Sequence, residues 1–439
     1  MLMDHISRDK ELEIYHTYAK SLVERGLAYP CFCTEEELDK VRAKQEEDKV
    51  LTGYYGEYAT CRNLSYEEIE ANIKAGKPYV LRLRSQGSPD KEITFVDAIK
   101  GEIKLPENIH DIVLLKKDGI PTYHFAHAID DHLMRTTTVV RGGEWLASAP
   151  IHYELFHLLG FKMPAYAHTA HLMKFDEETG GKRKLSKRKD PELSLDYYRK
   201  DGYHPYTMKV YLLTLLNSNF EEWHEKFPDK DINEFPFSVE KMNQSGALFD
   251  KDKLHNICKN ELSKLSEEEL YDFLYDWAKE NEPENVEKWF GDREKMLQIL
   301  RLYMGVGAKR RRKDLMYAKQ IFELISYFFD GESAEEMDEF KLDEDMVSKI
   351  LKSYLAKYDH NDDNSVWFNK LKEIADEHGF ASDMKAYKAN PENFKGNVSD
   401  IAEAVRIAVT GRANTPDLWT IVHIMGEEQM TERIKKHIK

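Results

Sequence analysis

The stretch "GGKRKLSKRKDPE" (180–192) concentrates positive charge in a chain that is acidic overall. Six of the eight residues from Lys182 to Lys189 are basic, and two glycines precede them. The whole chain carries 80 acidic against 64 basic side chains, a formal net charge of −16. Lysines on a glycine-hinged loop can close on phosphate oxygens and stabilise charge that develops in a reaction. A basic run can equally be a solvated surface, so both interpretations stay open at this point.

Two other places offer cations for binding. "KRRRK" (309–313) is a second basic run, with Arg310, Arg311 and Arg312 at its centre. Arg141 stands at the end of a predicted strand and precedes Gly-Gly, where α/β folds place ligand sites. A guanidinium can meet a carboxylate through two parallel hydrogen bonds. Arg141 is therefore a candidate carboxylate-binding residue, with a surface ion pair as the alternative.

Composition limits the protein class. Hydrophobic residues make up 41% of 439 residues, which allows packed cores and roughly three domains. The four cysteines, at positions 31, 33, 61 and 258, form no disulfide framework and suit a reducing compartment. The first ten residues show no signal sequence and no long apolar run follows, so we expect a soluble, cytoplasmic protein without a membrane segment.

Local patterns predict the elements that position these residues. Capping boxes predict helix starts at Thr34, Ser65 and Ser266. The runs 79–84 and 93–97 predict strands, and Asp118-Gly119 between apolar runs predicts a hairpin. Residues 136–160 predict a strand, a glycine turn and a helix, which is one β-α unit of a nucleotide-type fold. From about residue 254 nearly every segment predicts an amphipathic helix.

Several motifs together resemble one family. "KLSKR" (184–188) resembles the signature loop of class I aminoacyl-tRNA synthetases, in the variant typical of glutamyl-tRNA synthetases. "PTYHFAHAIDDHLMRTTTVVRGGEWLASAPIHYELFHLLGF" (121–161) is similar to the family's segment around its substrate site. "SGALFDKDKL" (245–254) and "EAVRIAVTGRANTPDLW" (403–419) resemble its stem-contact and anticodon-domain segments. The resemblance covers essentially the whole chain, in the family's order.

The resemblance implies roles for individual residues. It implies that Lys184 and Lys187 bind ATP phosphates and that Ser186 and Arg188 belong to the same catalytic loop. It implies glutamate binding by Tyr123, His127 and Arg141. It implies ATP binding by Glu144, Trp145, His171, Leu172 and Lys187. Asp130 and Asp131 match the family's paired aspartates, and their role stays open.

The same resemblance implies a fold and an activity. The fold class expected is α/β plus α: an incomplete Rossmann-type catalytic domain with an α+β insertion, then a mainly helical anticodon-binding half. The expected divisions are 1–19 (catalytic remnant), 20–121 (acceptor-stem insertion), 122–180 (second half of the catalytic domain), 181–259 (stem contact with the loop) and 260–439 (anticodon binding). The expected activity is ATP- and Mg²⁺-dependent attachment of L-glutamate to tRNA(Glu) by a cytoplasmic monomer, with Arg310, Arg311 and Arg312 on tRNA phosphates.

Three departures from the family pattern qualify these expectations. No His-x-Gly-His occurs, so we expect an N-terminally truncated active site and doubtful activity of this chain alone. His127 stands where many relatives have asparagine, which predicts altered pH dependence or a neutral variation. Cys31, Cys33 and Cys61 match zinc ligands of some relatives, but Asn63 replaces the fourth and Tyr58 is a poor substitute. Zinc binding and thiols packed in an apolar corner both stay open.

Two alternatives compete with the ligase interpretation. The absent motif favours a non-catalytic tRNA-binding module, whereas the intact "KLSKR" lysines disfavour it. A glutaminyl enzyme is the other alternative, and the segment 121–161 disfavours it because it resembles the bacterial glutamyl type.

Overall fold

The computed structural model describes residues 12–176, 178–244, 246–329 and 337–439. The chain forms two compact units. The first runs to Lys184 and also includes Thr214–Phe249. The second comprises Leu185–Leu213 and Asp250–Lys439. Residues 1–11 of the predicted catalytic remnant lie outside the described part of the chain, and the predicted five-part division stays a prediction.

All the strands of the described ranges lie in the first unit and form three small sheets with the orders β1-β2-β5, β4-β3-β7-β6 and β10-β8-β9. Their bounds are β1 Ala28–Cys31, β2 Val80–Leu83, β3 Glu92–Asp97, β4 Gly101–Pro106, β5 Val113–Leu115, β6 Thr138–Gly142, β7 Ala165–Thr169, β8 Leu172–Phe175, β9 Lys182–Lys184 and β10 Ala247–Leu248.

The four-stranded sheet carries the nucleotide-type part of the fold. β3, β7 and β6 are parallel neighbours, and β4 adds antiparallel to β3. A short 3-10 helix, Gly143–Ser148, follows β6 and leads directly into a helix over Ala149–Leu159. The predicted strand, glycine turn and helix at 136–160 are thereby confirmed. Parallel strands end at the same sheet edge, so this order brings the ends of β3, β6 and β7 together.

The helices of the N-terminal half begin largely where capping signals predicted. Thr34 and Ser65 form the predicted capping boxes with Glu37 and Glu68. The bounds are α1 Leu12–Glu24, α2 Glu35–Glu47, α3 Tyr66–Lys74, α4 Tyr123–Leu133, α5 Ala149–Leu159, α6 Leu195–Asp201, α7 Pro205–Leu216 and α8 Phe220–Lys226.

The predicted hairpin at Asp118-Gly119 is only half formed. Gly119 turns with φ +80°, and Leu115 makes one antiparallel bridge with Pro121. The second apolar run then continues as α4 instead of a strand. Its buried residues Phe125, Ala126, Ala128 and Ile129 follow helical spacing and pack in the core of the first unit, so tertiary burial decided against a strand.

The C-terminal half is helical in the described ranges, as predicted. Ser266 and Glu269 form the predicted capping box, and Leu270, Leu274 and Trp277 of that helix are buried. No described helix is long and apolar enough to cross a bilayer. The bounds are α9 Lys251–Leu262, α10 Glu267–Asn281, α11 Val286–Phe290, α12 Arg293–Met304, α13 Ala318–Ile325, α14 Glu344–Lys357, α15 Asn364–His378, α16 Met384–Ala389, α17 Val398–Thr410, α18 Leu418–Met425 and α19 Glu427–Lys435.

Candidate functional site

Arg141 lies at the end of β6, and its guanidinium is the centre of a cluster of polar and aromatic side chains in the first unit, which we call the Arg141 pocket. In the sheet register Arg141 is opposite His168 of β7. Its Nε donates to His168 Nε2 at 2.9 Å, and its Nη1 lies 2.9 Å from His152 Nδ1 on α5. The guanidinium also stacks on the Tyr166 ring, 4.4 Å from the ring centroid. The sheet and α5 therefore hold one cation from three sides.

The hydrogen-bond capacity of Arg141 fixes the protons of its neighbours. A guanidinium can only donate, so His168 Nε2 and His152 Nδ1 must both accept. A neutral imidazole that accepts at one nitrogen carries its proton on the other. His152 Nε2–H therefore donates to His124 Nδ1, which lies 2.9 Å away. The result is a chain of neutral histidines behind the cation.

The pKa values agree with neutral rings. Burial, reinforced by His127 and Arg141, lowers the pKa of His152 to about 2. Burial and the Arg141 charge lower the pKa of His127 to about 4 and lower the pKa of His124 as well. At neutral pH the Arg141 charge therefore has uncharged histidines around it, which leaves the pocket suited to an anion.

Aromatic rings line the rest of the pocket. Tyr123, at the start of α4, packs on Trp145 with a centroid distance of 4.7 Å and stacks on His127 at 5.8 Å. His127 Nε2 lies 2.9 Å from the Tyr166 hydroxyl, and its Nδ1 lies 3.2 Å from Asp131 Oδ2. The sequence-predicted residues Tyr123, His127, Arg141 and Trp145 thus come together, although their roles stay predictions.

A second predicted group assembles beside the first. The Glu144 carboxylate lies 3.5 Å from His171 Nδ1 and 3.9 Å from Lys184 Nζ, and Lys184 Nζ lies 3.5 Å from His171 Nε2. Lys184 is placed there by β9, where it pairs with Met173 of β8. Leu172 opens the same strand β8. Residues predicted from distant motifs therefore share one corner of the first unit.

The glycines before the basic loop have a structural role of their own. Gly180, at φ +67°, closes the β8–β9 turn by donating its N–H to Asp176 O at 2.8 Å. Beyond Lys184 the loop belongs to the second unit. There Ser186 N donates to the buried Asp190 carboxylate at 2.7 Å. Lys187 and Arg188 are exposed.

The three predicted metal-ligating cysteines converge. The Sγ atoms of Cys31, Cys33 and Cys61 lie within 4.8 Å of one another, and Cys33 Sγ and Cys61 Sγ are 3.5 Å apart. Hydrogen bonds from Cys33 and Cys61 lower the pKa of Cys31. The hydroxyl over the cluster is that of Tyr54, 3.3 Å from Cys33 Sγ and 3.4 Å from Cys31 Sγ. Tyr58, considered from the sequence, contacts Asp48 instead.

Two arginines of the second basic run line a cavity in the helical unit. Arg310 and Arg312 line a cavity of about 660 Å³ together with residues of α12 and α18. Arg312 pairs with Asp314, with its Nε 2.7 Å from the carboxylate, whereas Arg310 and Arg311 are exposed. The part of the cavity lining that Arg310 and Arg312 form is thus cationic, and the cavity opens to solvent.

Comparison with known proteins agrees with this arrangement. Residues 4–256 match the family described as tRNA synthetases class I (E and Q), catalytic domain, and residues 269–438 match the anticodon binding domain. A glutamate–tRNA ligase of Acetivibrio thermocellus is 53% identical over 97% of this chain and 77% of that protein. One of Clostridium perfringens is 46% identical over 98% of this chain and 78% of that protein.

The chain belongs to the glutamate–tRNA ligase family of class I tRNA synthetases. A crystal structure of a glutamate tRNA ligase from Elizabethkingia meningosepticum, in complex with its amino acid, matches with a TM-score of 0.75 and 25% identity. The match covers all of this chain and 84% of the chain in that crystal structure. The predicted family and fold class are confirmed, and the non-catalytic alternative is not favoured by relatives this similar. Both curated relatives named above are glutamate–tRNA ligases.

Sequence reasoning within the family pattern missed four residues of the Arg141 pocket. These are Asp97, His152, Tyr166 and His168. Each contacts another pocket residue that is more than ten residues away in the sequence. His168 lies two residues after Tyr166 in a β-rich run, so both point to one face of a strand. That alternation was the available signal, but only the sheet register shows what the face contacts.

His127 provides a pH test of the pocket. An unfolded histidine takes up a proton near pH 6.5, whereas His127 in the folded chain stays neutral to about pH 4. The unfolded state therefore gains stability as the pH falls below 6.5. Between pH 7 and pH 5 this single ring should lower the free energy of unfolding by about 2 kcal/mol. We expect His127→Asn to reduce the loss of stability over this range by that amount, measured by urea unfolding at both pH values.

The matched control is His157→Asn, because His157 is exposed on α5. Its stability should change with pH as that of the unaltered chain does. If the free energy of unfolding of the His127→Asn chain depended on pH as that of the unaltered chain does, a neutral His127 ring in the folded chain would be contradicted.

Proposed function

We propose that this chain is a cytoplasmic glutamate–tRNA ligase that activates glutamate with ATP and transfers it to tRNA(Glu). The observation that carries the proposal is the Arg141 cation in a pocket of neutral histidines and aromatic rings. A substrate side-chain carboxylate completes that charge distribution, since a desolvated guanidinium binds a carboxylate through paired, charge-assisted hydrogen bonds. Family membership supplies the reaction.

The first step joins glutamate to ATP. An oxygen of the glutamate α-carboxylate attacks the α-phosphorus, the bond to the bridging oxygen breaks, and pyrophosphate leaves. Negative charge builds on the phosphate oxygens, and a lysine that contacts them only then lowers the barrier. Lys184, close to Glu144 and His171, and the exposed Lys187 are the residues proposed for this contact, with Ser186 and Arg188 in the same loop.

Around that step, other side chains orient the substrates. Tyr123, His127 and Trp145 enclose the glutamate side chain against Arg141, and His171 with Leu172 borders the nucleotide. The Glu144 carboxylate offers an oxygen ligand of the kind that Mg²⁺ prefers, and this ion, which the class uses with ATP, would neutralise charge on the phosphates when bound. In the second step a ribose hydroxyl of the terminal tRNA adenosine attacks the glutamyl carbonyl carbon, and AMP leaves.

Arg141 is the residue on which substrate choice should depend. Replacement by Lys keeps the charge but removes the fork geometry, so we expect Arg141→Lys to raise the KM for glutamate by about 100-fold, on the order of 3 kcal/mol. The KM for ATP should change little, because the guanidinium does not serve the nucleotide in this proposal. Glutamate-dependent ATP–pyrophosphate exchange measures both values.

The control for that change is Arg135→Lys, at an exposed position after α4. It should leave both KM values within about twofold, as surface substitutions do. Equal KM values for glutamate in the Arg141→Lys and unaltered chains would contradict the assignment of Arg141.

The helical unit is proposed to bind the anticodon region of tRNA. The exposed Arg310 lines the cavity between α12 and α18, and the exposed Arg311 follows it in the chain. Both can reach backbone phosphates while unpaired bases enter the cavity. Arg406 and Arg412 belong to the segment 403–419, which resembles the family's anticodon domain, but they donate to the backbone oxygens of Ala413 and Glu323. They are therefore less suited to contact RNA.

Removing both exposed arginines should weaken tRNA binding through charge alone. We expect Arg310→Ala/Arg311→Ala to lower the affinity for tRNA and to reduce the salt slope of log K by roughly 1 to 2, since each phosphate contact releases about one counterion. Fluorescence titration at several salt concentrations measures the slope. Lys385→Ala/Lys388→Ala on α16 removes the same charge elsewhere and should leave the slope unaltered. Equal losses in both double variants would contradict a local contact.

The cysteine cluster is proposed to hold Zn²⁺. Three convergent thiols fit the preference of zinc for sulfur ligands. A fourth ligand would come from water or an adjoining oxygen such as the Tyr54 hydroxyl. The ion would tie the residues after β1 to those around Cys61, a structural role without part in the reaction.

Zinc content tests this proposal directly. We expect about one zinc per chain after purification under reducing conditions without chelator, measured by elemental analysis, because three thiolates bind zinc tightly. Cys61→Ser should lose the metal, whereas Cys258→Ser, at a buried cysteine outside the cluster, should keep it. An unaltered chain free of zinc would establish the alternative, thiols packed in an apolar corner.

A further inference from the structure

A buried carboxylate and a buried imidazole stand behind Arg141, and neither belongs to the predicted site. The side chains of Asp97 and His168 are both fully buried, with Asp97 Oδ2 2.6 Å from His168 Nδ1. His168 Nε2 in turn accepts from Arg141 Nε at 2.9 Å. The three side chains form a continuous line from the interior of the first unit to the pocket.

The sheet itself fixes this line. Asp97 ends β3, His168 lies in β7 and Arg141 lies in β6, so the residues stand on three neighbouring parallel strands. Arg141 and His168 are direct register partners. The backbone N–H of His168 also donates to the Asp97 carboxylate, at 3.1 Å. Backbone hydrogen bonds of the sheet thus set the spacing of the line.

The protons of the line follow from its two ends. Arg141 can only donate, so His168 accepts at Nε2 and carries its proton at Nδ1, from which it donates to Asp97. Asp97 also accepts from the N–H groups of Ile99 and Lys100 at 3.0 and 2.9 Å. Burial alone would raise the pKa of Asp97, but the bonds from His168 and the backbone outweigh it and hold the pKa below its ordinary value.

The line also restricts how Arg141 can meet a ligand. Nε carries a single hydrogen, and His168 occupies it. A carboxylate can then reach the guanidinium only through its terminal Nη groups. A guanidinium free to rotate would offer its Nε–Nη side as well, so His168 selects one of the two binding edges.

We propose that Asp97 and His168 are positioning residues that hold the Arg141 guanidinium in the orientation in which it binds the substrate side-chain carboxylate. The inference rests on the proposed role of Arg141 in glutamate binding. Neither residue touches the substrate: Asp97 fixes the tautomer of His168, and His168 fixes the rotation of Arg141.

The tautomer is the most direct test, and it needs no enzymatic activity. In the ¹⁵N spectrum of the unaltered chain labelled at histidine, the His168 signals should show a neutral ring with the proton on Nδ1. Their absence in His168→Gln assigns them. A His168 ring protonated on Nε2, or on both nitrogens at neutral pH, would overturn the proposal.

Kinetics of three variants separate positioning from mere packing. Glutamine can accept from Arg141 with its oxygen and donate to Asp97 with its amide, so His168→Gln should keep the KM for glutamate within a few-fold of the unaltered value. His168→Leu fills similar space without hydrogen bonds and should raise that KM by about 10- to 100-fold, the range of one charge-assisted hydrogen bond. Asp97→Asn, whose amide permits the other tautomer, should raise it similarly.

The KM for ATP should stay within about twofold in all three variants, which a general distortion of the fold would not allow. Equal glutamate KM values in His168→Gln and His168→Leu would overturn the positioning role. If the unaltered chain shows no exchange, the proposed function fails. The ¹⁵N spectra of His168 then test only the hydrogen-bonded line of Asp97, His168 and Arg141. A proton on His168 Nε2 would contradict that line.

Discussion

The Arg141 guanidinium donates hydrogen bonds and cannot accept them, and the arrangement of its pocket follows from this constraint. Because it is half-buried against Tyr166, its N–H groups need acceptors from the protein, and neutral imidazoles supply them. That requirement fixes the tautomers of His168 and His152, and through His152 that of His124. The pocket therefore has a single ordered set of donors before any ligand arrives. Such preorganisation is how a site binds a carboxylate without reorganising.

The fold supplies this order through nonlocal pairing. Parallel strands β3, β7 and β6 bring Asp97, His168 and Arg141 side by side, although Asp97 and Arg141 are far apart in the chain. The β8–β9 turn places Lys184 beside Glu144 and His171, at a second corner of the same unit. The cation proposed to bind a carboxylate and the lysine proposed to contact phosphate thus both stand on strands of the first unit. Two reactants held in this way react with a lower entropic barrier.

Local sequence signals predicted local structure well. The capping boxes at Thr34, Ser65 and Ser266 all form, because their bonds join residues three apart. The resemblance to family motifs likewise predicted that Arg141 and Tyr123 belong to one site. Asp97 and His168 escaped prediction because their role exists only in the sheet register, which no local pattern encodes. Tyr54 was missed for the same reason, since the path of the chain between Cys33 and Cys61 brings its hydroxyl to the cysteines.

Activation of glutamate by this chain is the step on which the proposed function depends. The most direct measurement is glutamate-dependent ATP–pyrophosphate exchange by the unaltered chain, with and without tRNA and with glutamine as the comparison amino acid. We expect exchange with glutamate and at least about 100-fold less with glutamine, whose uncharged side chain leaves the buried guanidinium without its anion. Equal exchange with both amino acids, or none with glutamate in the presence of tRNA, would contradict this expectation.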